Sequence, residues 1–126
     1  MLKKYLPLAL CAVGAIPACA ATPDIPIACR LDALTPTERA RHAEERRALV
    51  AAVRSVAELD DGFSLTFDAA ALETAGAWIS RERRCCPFLR FELTVGAGEV
   101  HPTLALRGRP GVKEFLRAEL GTVAAR

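Results

Sequence analysis

Arg81-Glu82-Arg83-Arg84-Cys85-Cys86-Pro87-Phe88-Leu89-Arg90-Phe91-Glu92-Leu93 changes its hydrophobic period at two adjacent thiols and a proline. Upstream the period is helical: Ala71, Trp78 and Cys85 are seven apart, and Leu72, Ala75 and Ile79 lead in the same way to Cys86. Downstream, Leu89, Phe91, Leu93 and Val95 alternate with Phe88, Arg90, Glu92 and Thr94, the pattern of a half-buried strand. Proline disfavours helical φ/ψ for the residue before it. The helix is therefore expected to end near Cys85, and Cys86 to open the extended segment. Both thiols continue the apolar side of the helix and are expected to be at least partly buried.

Working toward the N-terminus, Asp68 is placed to cap this helix, and Gly76 inside it either admits a neighbouring element or is merely tolerated. Val56-Ala57-Glu58-Leu59 and Phe63-Ser64-Leu65-Thr66-Phe67 flank the hairpin signal Asp60-Asp61-Gly62. Phe63, Leu65 and Phe67 share one face, and Ser64 and Thr66 the other, wet one. Thr35-Pro36-Thr37-Glu38 opens an earlier helix with a capping hydroxyl, proline at the first helical position and Glu at the third. That helix should run to Val53 or Arg54. Leu49, Val50, Val53 and Val56 form its apolar stripe, and its first half, Glu38 to Arg47, reads as a solvated charged face. Before it, Ile25 to Leu31 alternates as a short strand that points Ile25, Ile27, Cys29 and Leu31 inward.

Toward the C-terminus, Gly96-Ala97-Gly98 turns the chain into a strand over 100–107, with Val100, Leu104 and Leu106 inward. Gly108-Arg109-Pro110-Gly111 breaks it. A final helix over 112–120 carries Val112, Phe115, Leu116 and Leu120 on one stripe, with Gly121 as its cap. The expected order is βαββαββα: one α+β domain with a single-layer, mostly antiparallel sheet and helices packed on one face. A ferredoxin-like arrangement is the first topology to test.

The chain has 126 residues, enough for one domain. Lys3-Lys4, an apolar run from Tyr5 to Ile16 and the small residues after Pro17 read as a signal peptide over 1–21, leaving 22–126 as the domain. The run is shorter than the ~20 residues that span a bilayer, so no transmembrane segment is expected in the mature form. The expected location is periplasmic or secreted, with lipid anchoring at Cys19, after Ile16-Pro17-Ala18, as the rival. Of 17 Lys+Arg and 15 Asp+Glu, the leader takes only Lys3 and Lys4, so the domain is formally neutral. An evenly charged neutral domain lacks the field that attracts nucleic acid.

Five cysteines are present. Cys11 and Cys19 go with the leader; Cys29, Cys85 and Cys86 remain. Adjacent cysteines bridge each other poorly, because the small ring strains the peptide and the disulfide torsion. Three uses stay open for the trio. One is a staple from Cys29 to Cys85 or Cys86, or inert burial; the second is thiolate binding of Hg(II), Cu(I), Zn(II) or a metalloid; the third is redox or other enzymatic chemistry. No Cys-x-x-Cys and no sequence-visible base support the last, so the protein leans away from being an enzyme. His42 and His101 read as surface histidines, which argues against a closed four-ligand zinc site. At the helix end the C-terminal dipole opposes thiolate while Arg81, Arg83 and Arg84 favour it, so no strongly depressed thiol pKa is expected.

Ile27-Ala28-Cys29, the helix ending Glu82-Arg83-Arg84-Cys85-Cys86-Pro87-Phe88-Leu89-Arg90-Phe91 and the two closing strands resemble a family of small bacterial Cys-Cys-Pro-Phe domains. These occur alone or attached to mercury-resistance-type (MerR) heavy-metal-responsive regulators. The resemblance spans roughly residues 25–120. It implies Cys29, Cys85 and Cys86 as metal thiolates and carries over no reaction. The expectation is therefore an exported thiol domain that binds a soft heavy-metal or metalloid ion through these three residues. The alternative is a disulfide-stapled binding module. The expected partner is a metal ion or small ligand; nothing in the residues identifies a protein partner.

Overall fold

The structure is a computed structural model, and it describes Gly14 and residues 24–126. The expected leader and Cys19 anchor lie outside the described residues. Helix α1 (Pro36–Ala52) leads into β1 (Val53–Leu59), and a two-residue turn, Asp60-Asp61, returns the chain as β2 (Gly62–Phe67). Helix α2 (Leu72–Cys85), the hairpin strands β3 (Arg90–Thr94) and β4 (Thr103–Arg107), and α3 (Val112–Leu120) follow. No helix among the described residues is long and apolar enough to cross a membrane.

The start of α1 is set by chemistry local to Thr35. Its hydroxyl accepts from Glu38 N, and the Glu38 carboxylate accepts from Thr35 N at 2.8 Å, so two otherwise orphaned donors are satisfied. Arg84 also reaches that carboxylate. Its hydrogen bond comes first, and the Thr35 N–H second, in holding the Glu38 carboxyl down to about 2. Asp68 behaves differently from expectation. It precedes a short 3-10 turn (Ala69–Ala71) without a side-chain cap, and its carboxylate pairs with Arg54 at 2.8 Å instead.

The sheet order is β1-β2-β4-β3, antiparallel throughout. A ferredoxin-like sheet needs parallel βαβ pairing, so that topology is corrected. Val56 pairs with Leu65, Phe63 with Leu106 and Leu65 with Leu104, which puts the apolar residues of three strands on one face. Phe67, Leu104 and Val112 are among the largest fully buried side chains. Helix α3 lies on β2 and β4, while α1 and α2 pack on each other. A Cβ at Gly62 would overlap the Leu106 carbonyl oxygen, so glycine is what lets β2 and β4 close up at the hairpin.

Three further expectations are revised. Residues 25–30 form no strand; the leading β of the expected order is an irregular lead followed by a 3-10 turn (Leu31–Ala33). Proline at 26 removes a ladder donor. The lead also lies against the end of α2 rather than a sheet edge, with Arg30 N donating to Cys85 O at 2.7 Å. Second, β3 is an edge strand, and Leu93, Val95 and Val100 are exposed rather than inward. Third, Gly76 faces open space, so it is the tolerated glycine and not a close-approach site.

Candidate functional site

The C-terminus of α2 builds the site. A helix end leaves its last carbonyls without intrahelical partners. Here Cys86 N closes back on Glu82 O, Arg30 N takes Cys85 O, and Leu89 N takes Cys86 O at 3.1 Å. Arg84 reaches Ala33 O at 2.8 Å and Arg39 reaches Leu31 O and Leu34 O, so the lead is strapped across the helix end by its own backbone. The strap carries Cys29 to Cys86: their sulfurs are 2.7 Å apart. Cys29 is an exposed residue, whereas Cys85 and Cys86 are buried, and all three are free thiols.

Cys29 and Cys86 are thus brought together by a strap over a helix end; the strand that was to point Cys29 inward does not form, and Cys29 is exposed. Cys85 is buried beside them, at 2% exposure. Among the described residues, no group of three or more His, Cys, Asp or Glu side chains is arranged to hold a metal ion.

Electrostatics disfavour thiolate throughout. Burial pushes the Cys86 thiol far up; the Cys29 contact and the Glu82 carboxylate push it further. Burial also raises Cys85, with Glu82 and Cys29 adding and Arg84 opposing. For Cys29 burial raises the thiol, the Cys86 hydrogen bond opposes it, and Glu82 and Glu119 raise it again. Arginine support is thinner than its count in the sequence suggests. Arg81 is committed to Glu45 at 2.7 Å and Arg84 to Glu38 at 2.8 Å.

Cys29 is the exposed thiol of the three, and its contact with Cys86 favours its thiolate. Iodoacetamide should therefore label Cys29 first, at a rate still rising above pH 9, with Cys85 and Cys86 labelled only after unfolding. Mass mapping of labelled peptides checks this; early labelling of Cys86 contradicts it.

His42 was expected at the surface. Instead its Nε2 lies 2.6 Å from Glu82 Oε2, with the two side chains only 12% and 13% exposed. The ring stacks on Trp78 at 5.9 Å, and Trp78 meets Phe91 edge-on at 6.0 Å. Glu38, His42 and Glu45 thus pair with Arg84, Glu82 and Arg81 down an antiparallel helix contact. One stripe of the first half of α1 therefore faces α2, while Arg39, Arg41, Glu44, Arg46 and Arg47 are exposed, as expected of a solvated charged face. The i, i+4, i+7 spacing of Glu38, His42 and Glu45 was the available signal, since it puts all three on one helix stripe. Glu82 joins this ladder to the thiols, because its backbone carbonyl accepts from Cys86 N at 2.7 Å and its carboxylate pushes the Cys86 thiol up. A cavity of about 250 Å³ adjoins it, lined mainly by apolar side chains.

No family model, no curated protein and no solved structure matches this chain.

Proposed function

We propose that this chain is a soft-ion-binding domain of an exported protein, working through a two-sulfur site, Cys29 and Cys86. The observation that carries the reading is the 2.7 Å sulfur contact between an exposed thiol and a buried one. Two thiolates suit Hg(II) or Cu(I); Zn(II) ordinarily asks for four protein ligands, or three and a water. A linearly held ion with metal–sulfur bonds of about 2.3 Å needs sulfurs about 4.6 Å apart, so one sulfur must move out by about 2 Å. Cys29 can do so, because it is exposed and lies outside helix and strand. Ion binding also supplies what the thiols lack: a positive centre that holds them as thiolates against burial.

Titrating the reduced full chain with Hg(II), followed by the sulfur-to-metal absorbance, should give one tightly held ion per chain. Cys29→Ser and Cys86→Ser should each weaken it by 100-fold or more, whereas Cys85→Ser should leave it within a few-fold. Wild-type affinity in both of the first two variants refutes the two-sulfur site.

A second reading, the disulfide-stapled module, is favoured by the same distance. A disulfide needs about 2.0 Å, so closure asks for less movement than opening does.

A further inference from the structure

The two-sulfur site and the cavity share a wall. Glu82 lines the cavity and its backbone carbonyl accepts from Cys86 N at 2.7 Å, while Leu89, another lining residue, donates its backbone N–H to Cys86 O. Arg46 and Glu119, which pair at 3.2 Å on the solvent side of the cavity, are the charges nearest in effect on Cys29 after Glu82. The interior is hydrocarbon, with Leu49, Leu65, Trp78, Leu104 and Phe115 among its walls. A paired dithiol at the edge of an apolar hollow is built for a ligand with a soft centre at one end and an apolar group at the other.

Resting on the two-sulfur reading, we propose that the ligand is an organic trivalent metalloid, an arylarsonous acid R–As(OH)2. Its arsenic is taken by Cys29 and Cys86 and its ring by the cavity. The chemistry balances without an oxidant. Two As–O bonds break, two As–S bonds form, and each thiol proton leaves with a hydroxyl as water. Geometry favours this centre over a linear one. A pyramidal atom with near-right angles and bonds of about 2.3 Å sets its sulfurs about 3.3 Å apart, close to the observed 2.7 Å. Volume fits as well: an apolar cavity of about 150 Å³ holds benzene, and this one is about 250 Å³. Burying a ring of phenylalanine size gives an advantage of roughly 10- to 100-fold over a ligand lacking it.

The test measures phenylarsonous and methylarsonous acids on the reduced full chain, each by competition with dithiothreitol, so that intrinsic arsenic–thiol affinity cancels. The phenyl compound should bind about 10- to 100-fold tighter than the methyl one. Val50→Trp and Leu120→Trp, which fill the cavity from α1 and α3, should each erase that preference while keeping wild-type Hg(II) binding, which also reports that each variant is folded. Equal binding of the two arsenicals, or a preference that survives both fillings, overturns the proposal while Hg(II) binding stands. Loss of Hg(II) binding by the wild-type chain as well takes down the two-sulfur reading itself.

Discussion

Replacing Phe67 by alanine is expected to destabilise the domain by about 3–5 kcal/mol, the largest effect of any single core truncation here. Phe67 is fully buried and is the largest such side chain. It ends β2 opposite Val53, at the point where the β1–β2 register shifts, and its backbone N–H donates to Pro102 O. The ring therefore sits where β1, β2 and the approach to β4 converge, and the surrounding strands are paired too tightly to collapse into the hole. Domains of this size are stable by about 5–15 kcal/mol, so the variant should lose a large share of its folded margin. Urea unfolding followed by circular dichroism reads it as a fall in midpoint at unchanged slope. Leu93→Ala is the control: on edge strand β3 and 38% exposed, it should cost under about 1 kcal/mol. A loss at Phe67 no larger than at Leu93 would mean that the core is centred elsewhere.

The elements that were legible in the sequence are those whose cause is local. Thr35 and Glu38 fix the start of α1 by bonds three residues apart, and Pro87 fixes the end of α2 through the residue before it. The alternation of Phe63, Leu65 and Phe67 records one buried sheet face. What failed was decided by partners distant in sequence. Ile25 to Leu31 alternates as a strand does, but alternation cannot state whether a sheet edge is free, and this segment meets a helix end instead. Leu93 and Val95 alternate equally well and are exposed, on and just after the strand at the sheet's edge, beyond which no further strand pairs among the described residues.

His42 looked like one charge in a charged run until α2 supplied Glu82 and Trp78. The site shows the same division. Burial of Cys85 and Cys86 followed from helix periodicity. The approach of Cys29 to Cys86 rests on a backbone bond from Arg30 to Cys85 that no residue pattern encodes. The cavity depends on three helices and a sheet meeting, which no single segment shows.

Oxidation provides the other large effect. Cys29 and Cys86 are separated by 57 positions, and a bridge between them removes loop-closure freedom from the unfolded chain. For a loop of that length the chain-entropy relation gives about 4 kcal/mol, which in a domain of about 100 residues corresponds to a melting shift of roughly 15–30 °C. The native state resists little, since the sulfurs are already in contact and the strap that carries Cys29 is irregular and exposed. Calorimetry of the full chain with and without a phosphine reductant should show that shift, and Cys29→Ser should melt at the reduced temperature under both conditions. Cys85→Ser should keep the full shift, because its thiol is not the one in contact with Cys29. The same sample separates the two uses of the pair: once bridged, the sulfurs have no thiolate to offer, so Hg(II) uptake should vanish on oxidation and return on reduction. A melting temperature indifferent to reductant, with Hg(II) uptake intact, would leave the pair as ligands only. An oxidised shift with no uptake in the reduced protein would leave it as a staple only.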